Sequence, residues 1–162
     1  MKTLLLVRHA KSSWANAGQM DFERPLNERG KDEARMMAER MKMRKIKIDS
    51  FVSSPARRAT KTAAIFLTQY GAEEEKLTLE PALYEVSVDS LYHVVEKLDD
   101  KDDTVVLFSH NPGITEFINT LDCAPVYDMP TCSVYAVTAI INSWKDFKDA
   151  KKDLLFFAYP GE

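Results

Sequence analysis

The sequence predicts an α/β fold: three layers, with a mostly parallel sheet of about six strands and helices on both of its faces. Two observations carry that expectation. The runs Leu4–Val7 and Thr104–Ser109 are almost continuously apolar, the pattern of strands buried on both faces. Such runs alternate with segments whose apolar residues recur at helical spacing, and no Pro/Gly/Ser-rich linker interrupts them. A chain of 162 residues with 45% hydrophobic content is read as one domain with a sizeable core.

Leu4–Val7 is the first strand. The polar stretch 11–24 leads to a helix from about Asn27, with Ala34, Met37, Ala38 and Met41 on its apolar face. Ser50–Ser53 is the second strand. Ser54-Pro55 reads as a helix start, Ser capping free amides and Pro preset for the first turn. That helix buries Ala59, Ala63, Phe66, Leu67 and Tyr70 and stops at Gly71. Leu77–Glu80 is a short third strand, 81–87 a loop, and Leu91, Val94, Val95 and Leu98 mark the next helix. Thr104–Ser109 is followed by His110-Asn111-Pro112-Gly113 and a helix from about Ile114 to Leu121. Ser133–Ile140 and Leu154–Tyr159 are the last strands, joined by a Lys- and Asp-rich loop. The charged clusters Lys42–Lys47 and Asp99–Asp103 are read as solvated ends of elements.

Composition narrows the function classes. A formal net charge of −3 argues against a general nucleic-acid binder, which carries a basic face. Cys123 and Cys132 match neither a metal-ligand spacing nor a disulfide framework, and are read as reduced, buried thiols. Met1-Lys2 runs straight into a strand, and no apolar stretch is long enough to span a bilayer. The expectation is a soluble cytoplasmic protein without membrane or nucleic-acid partners. HExxH, paired CxxC and GxxxxGK[ST] patterns do not occur, so neither a metal nor a nucleotide cofactor is expected.

Three strand ends carry suggestive groups. Arg8 and His9 follow the first strand, Arg57 and Arg58 open the helix after the second, and His110 follows the fourth. In a parallel sheet all three lie along one edge, where ligands of open α/β sheets bind. Guanidiniums, imidazoles and helix amino ends converging there suit an anion of about two charges, such as a phosphoryl group. His93, between Leu91 and Val94 on a helix, is read as structural or superficial.

The segments Leu6-Val7-Arg8-His9-Ala10, Ser53-Ser54-Pro55-Ala56-Arg57-Arg58-Ala59 and Ser109-His110-Asn111-Pro112-Gly113 resemble, in order and separation, the signatures of the histidine phosphatase superfamily. Asp21-Phe22-Glu23-Arg24-Pro25-Leu26-Asn27-Glu28-Arg29-Gly30 resembles the loop and helix start of its small SixA-type phosphohistidine phosphatases. The resemblance spans nearly the whole chain. It implies a phosphoglycerate mutase-like fold without a large lid insertion, with 1–162 as a single catalytic domain. It also implies a metal-independent phosphatase with His9 as the nucleophile that becomes phosphorylated. Arg8 and Arg58 would bind phosphoryl oxygens, and His110 would be a further donor to the transferring group. Arg58 rather than Arg57 matches, because it immediately precedes Ala59.

Glu85, in Leu83-Tyr84-Glu85, resembles the acid that protonates an ester's leaving oxygen in some family members; a solvated loop carboxylate is an equal reading of it. Ala10 and Ser109 stand where the family often has Gly. The substrate implied is phosphohistidine in a partner protein. A small phosphate ester is the alternative, and a non-catalytic phosphate-binding module a third.

Overall fold

The computed structural model describes residues 1–162. Six strands, β1 (Lys2–Arg8), β2 (Ser50–Ser53), β3 (Leu77–Leu79), β4 (Thr104–Ser109), β5 (Val134–Ala139) and β6 (Lys152–Ala158), make one sheet in the order β3-β2-β4-β1-β5-β6. Around it lie α1 (Glu28–Met43), α2 (Arg57–Gln69), α3 (Val88–Glu96) and α4 (Gly113–Ile118).

The period of two along β1 explains the layering. Leu4 and Leu6 point into a core shared with α3 and α4, where Leu91, Val95, Ile114 and Phe117 pack. Leu5 and Val7 point the other way, into a core shared with Met37 and Met41 of α1 and Phe66 of α2. Each core holds 21 buried residues, so the central strands must be apolar on both faces, as their sequences are. No helix is long and apolar enough to cross a membrane.

β3, β2, β4 and β1 are mutually parallel, whereas β5 runs antiparallel to both β1 and β6. The sheet is therefore mixed. The chain re-enters from the edge where β4 ended and runs down as β5.

Several local expectations change. α2 begins at Arg57 with Ala56 as its cap residue, not at Ser54-Pro55, and α4 ends at Ile118 rather than Leu121. The cluster Asp99–Asp103 is not merely solvated. It encloses the ammonium of Lys2, a residue only 2% exposed, which donates to the carbonyls of Asp100 and Asp102 and to Asp103 Oδ1 at 2.9 Å. The Lys- and Asp-rich loop carries the fully buried Trp144, whose backbone N–H donates to Asp100 at 2.8 Å. Cys132 is buried but Cys123 only half so; both are free thiols.

Two glycines seat the segments around the carboxyl edge of the sheet. A Cβ on Gly30, in the first turn of α1, would lie 2.1 Å from the Lys11 carbonyl oxygen. One on Gly113, which opens α4, would lie 2.1 Å from the Val86 carbonyl oxygen. Only glycine permits these approaches of helix to loop.

Candidate active site

β1 and β4 are neighbours in register, with Arg8 opposite Ser109, so the next residues, His9 and His110, leave the sheet side by side. The His9 backbone N–H donates to the Ser109 carbonyl at 3.1 Å, and the two imidazole centroids are 5.0 Å apart. Arg58 enters from the first turn of α2. These three side chains belong to residues only 6–7% exposed, and Arg8 is half-buried beside them.

His9 Nδ1 lies 2.8 Å from the Ala10 carbonyl, which can only accept. In the neutral ring that nitrogen carries the hydrogen, so Nε2 bears the lone pair that faces the pocket. Arg58 Nε–H points at Nε2 from 3.3 Å. The loop behind is held by Thr62, whose Oγ1 accepts from the Ala10 N–H at 3.0 Å and donates to the Arg58 carbonyl at 2.8 Å. One threonine thus couples the His9 turn to the Arg58 turn. Ala10, in the place of a glycine, fits because its backbone needs no left-handed conformation.

His110 Nε2 is 2.7 Å from Ser54 Oγ, which also accepts the Ala56 N–H at 3.2 Å. Ser54 is therefore a partner of His110 rather than the cap of α2. Arg8 Nη1 donates to the Met129 carbonyl at 2.7 Å. Arg8 Nε and His110 Nδ1 are buried without any partner, two polar atoms with capacity to spare for an oxyanion.

Electrostatics keep both rings neutral. Burial, with the charges of Arg58 and Arg8, lowers His9 to about 3 despite its bond to Ala10. Burial and Arg58 likewise lower His110 to about 4. Burial depresses Arg8 too; Asp128 opposes this and Arg58 adds to it. A neutral imidazole among fixed cations is a nucleophile at physiological pH.

The unfolded chain takes up these protons first, near 6.5, so the neutral rings stabilise the fold fully above that pH. Their contribution is lost as pH falls through the folded values of about 4 and 3. In the free protein, NMR should show neither ring titrating between about pH 5 and 8. A His9 midpoint near its ordinary value would overturn the neutral-nucleophile reading.

The sequence reading missed Asp21. Its Oδ2 accepts from Arg58 Nη2 at 3.1 Å and from the Tyr84 hydroxyl at 2.8 Å, and its carbonyl accepts from Arg58 Nη1 at 2.8 Å. Burial alone would raise its carboxyl, but the Tyr84 bond and the Arg58 charge and bond hold it below the usual range. It is thus a carboxylate that fixes the Arg58 fork, not a proton donor. Tyr84 stands edge-on to His110, ring centroids 5.5 Å apart. Arg24 donates to Asp21 Oδ1 at 3.3 Å and lies over the exposed Trp14 ring at 3.5 Å.

Arg8, His9, Arg58 and His110 thus come together. Glu85 follows Tyr84, whose ring faces His110; it is exposed, takes a left-handed backbone (φ 52°) and makes no hydrogen bond or ion pair. Arg57 points outward and donates to the Glu23 carbonyl at 3.4 Å; His93 is exposed on α3. A larger cleft of about 760 Å³ runs along β2 and β3 beside α3. It is lined by both signs of charge and includes none of the four converging residues.

The family model of the histidine phosphatase superfamily (branch 1) matches residues 4–104. An uncharacterised chloroplastic protein of Arabidopsis thaliana is 27% identical over 90% of this chain and 70% of its own length. SixA of Agrobacterium tumefaciens superposes with a TM-score of 0.83 at 23% identity, covering 99% of both chains. The protein histidine phosphatase SixA complexed with tungstate gives 0.81 at 22% identity, over 98% of this chain and 97% of that one.

Proposed function

The chain belongs to branch 1 of the histidine phosphatase superfamily and is a phosphatase in that sense; we propose that its substrate is phosphohistidine in a partner protein. The observation that carries the chemistry is the unprotonated His9 Nε2 facing Arg58 Nε, with Arg8 and His110 in the same pocket. Nε2 attacks phosphorus, the P–N bond to the substrate imidazole breaks, and the departing ring takes a proton from solvent. Arg8, Arg58 and His110 offset charge on the phosphoryl oxygens as it spreads. Water then attacks the phosphohistidine on His9, releasing phosphate and restoring the ring.

Two features favour a protein-borne phosphohistidine over a metabolite. The segment between β3 and α3 is short, with no inserted lid, so a side chain presented by a folded partner has open access. An imidazole also leaves without a dedicated acid, and Glu85 is exposed with no hydrogen bond or ion pair to fix it at the pocket. The likeness to the protein histidine phosphatase SixA supports the same substrate.

A small phosphate ester remains the second reading, tested by kcat/KM for a phosphohistidine peptide against a panel of sugar phosphates and nucleotides. The peptide should win; a far higher value for one ester would overturn the assignment. Glu85→Gln should slow ester hydrolysis more than phosphohistidine hydrolysis. Equal losses on both would show that Glu85 has no role specific to the leaving group.

A further inference from the structure

On the outer side of α2, whose first turn sends Arg58 into the pocket and Arg57 outward, lies a groove of about 490 Å³, lined by Lys31, Arg57 and Lys61 with the uncharged Pro25, Leu26, Thr60 and Ala64. No carboxylate lines it, although the chain as a whole carries a net charge of −3. We propose that this groove docks an acidic segment of the phosphorylated protein whose histidine enters the pocket, an inference that rests on the function proposed above.

Three observations point to an acidic occupant. Arg57 and Lys61 stand four residues apart on one face of α2, both exposed, so their like charges repel while the groove is bare. Neither has an ion-pair partner, and Lys31 has only an exposed contact with Glu28, weak enough to be exchanged for a ligand. Arg57 also adjoins Arg58 and holds the Glu23 carbonyl, in the same short turn whose Asp21 carboxylate grips Arg58. A polypeptide with its histidine at His9 would lay neighbouring residues along these cations. A free metabolite held by Arg8 and Arg58 would not extend so far. Charges at such a rim act chiefly on encounter and on choice of partner, and salt screens them.

The test uses free phosphohistidine and two peptides, identical except that aspartates or serines flank the phosphohistidine. Wild-type enzyme should favour the acidic peptide about tenfold in kcat/KM, two or three rim contacts at the usual strength of exposed pairs, with the advantage shrinking in high salt. The double variant Lys31→Glu/Lys61→Glu should erase that preference and leave free phosphohistidine turnover unchanged, which also reports that it is folded. Equal wild-type rates on both peptides, or equal losses on all three substrates in the variant, would overturn the docking role and leave the phosphohistidine assignment standing. Turnover of a phosphate ester but of none of the three would overturn that assignment and the docking role with it.

Discussion

His9→Ala is expected to abolish turnover, with no acid-labile phosphoryl group found on the protein after rapid quenching with substrate. The tautomer is the reason. The Ala10 carbonyl takes the Nδ1 hydrogen, so the single lone pair aimed into the pocket belongs to His9 Nε2. His110 cannot substitute: with the Ser54 hydroxyl donating to its Nε2, its hydrogen sits on the unpartnered Nδ1, which offers the oxyanion a donor and not a second lone pair. The variant should still fold: it loses the bond to the Ala10 carbonyl, worth about 1 kcal/mol, and the longer one from Arg58 Nε, but Asp21 still holds Arg58 and the Ala10 N–H keeps its bond to Thr62. It should also still bind inorganic phosphate through Arg8, Arg58 and His110. In the wild type, the quenched enzyme should carry phosphate on His9. Wild-type rates in His9→Ala, or phosphate mapped to another residue, would rule out the mechanism.

Arg58→Ala should raise the barrier by about 3 kcal/mol, roughly a hundredfold in kcat, the usual cost of removing one well-placed donor to developing charge. Its guanidinium is buried, and all three of its nitrogens are directed: Nε to His9, Nη1 and Nη2 to Asp21. A lysine has one point of charge and no fork, so Arg58→Lys should stay well below wild type. Steady-state kinetics separate the roles. A loss confined to KM would show that Arg58 only holds the ground state, contrary to the role assigned here.

The double-faced apolar runs made β1 and β4 legible, and helical spacing revealed α1, α2 and α3. The reversal of β5 was not legible, because an antiparallel neighbour of a buried strand is as apolar as a parallel one. The site was legible where the chain concentrates chemistry, at Arg8-His9, Arg58 and His110. It was not legible where function depends on side chains meeting across loops. Asp21 and Tyr84 lie far apart in sequence and meet at 2.8 Å because the 21–23 turn and the 81–84 turn face the same pocket. Ser54 has the composition of a helix cap, and only the arrival of His110 from β4 draws its hydroxyl elsewhere. Lys2 looks like an ordinary leading charge until Asp100–Asp103 closes around it.

Because the attacking ring and its companion leave two paired strands at the same level of one backbone ladder, a one-residue slip of register would separate them and also turn the apolar set of a strand toward the wrong core. The strand pairing thus fixes where the reacting pair starts from. Diversification has to happen in the surrounding turns, which can be exchanged as cassettes while the chemistry beneath stays unaltered. For protein engineering, this makes the 13–20 stretch, short of Asp21, and the outer face of α2 the natural places to retarget the enzyme toward a new phosphorylated client.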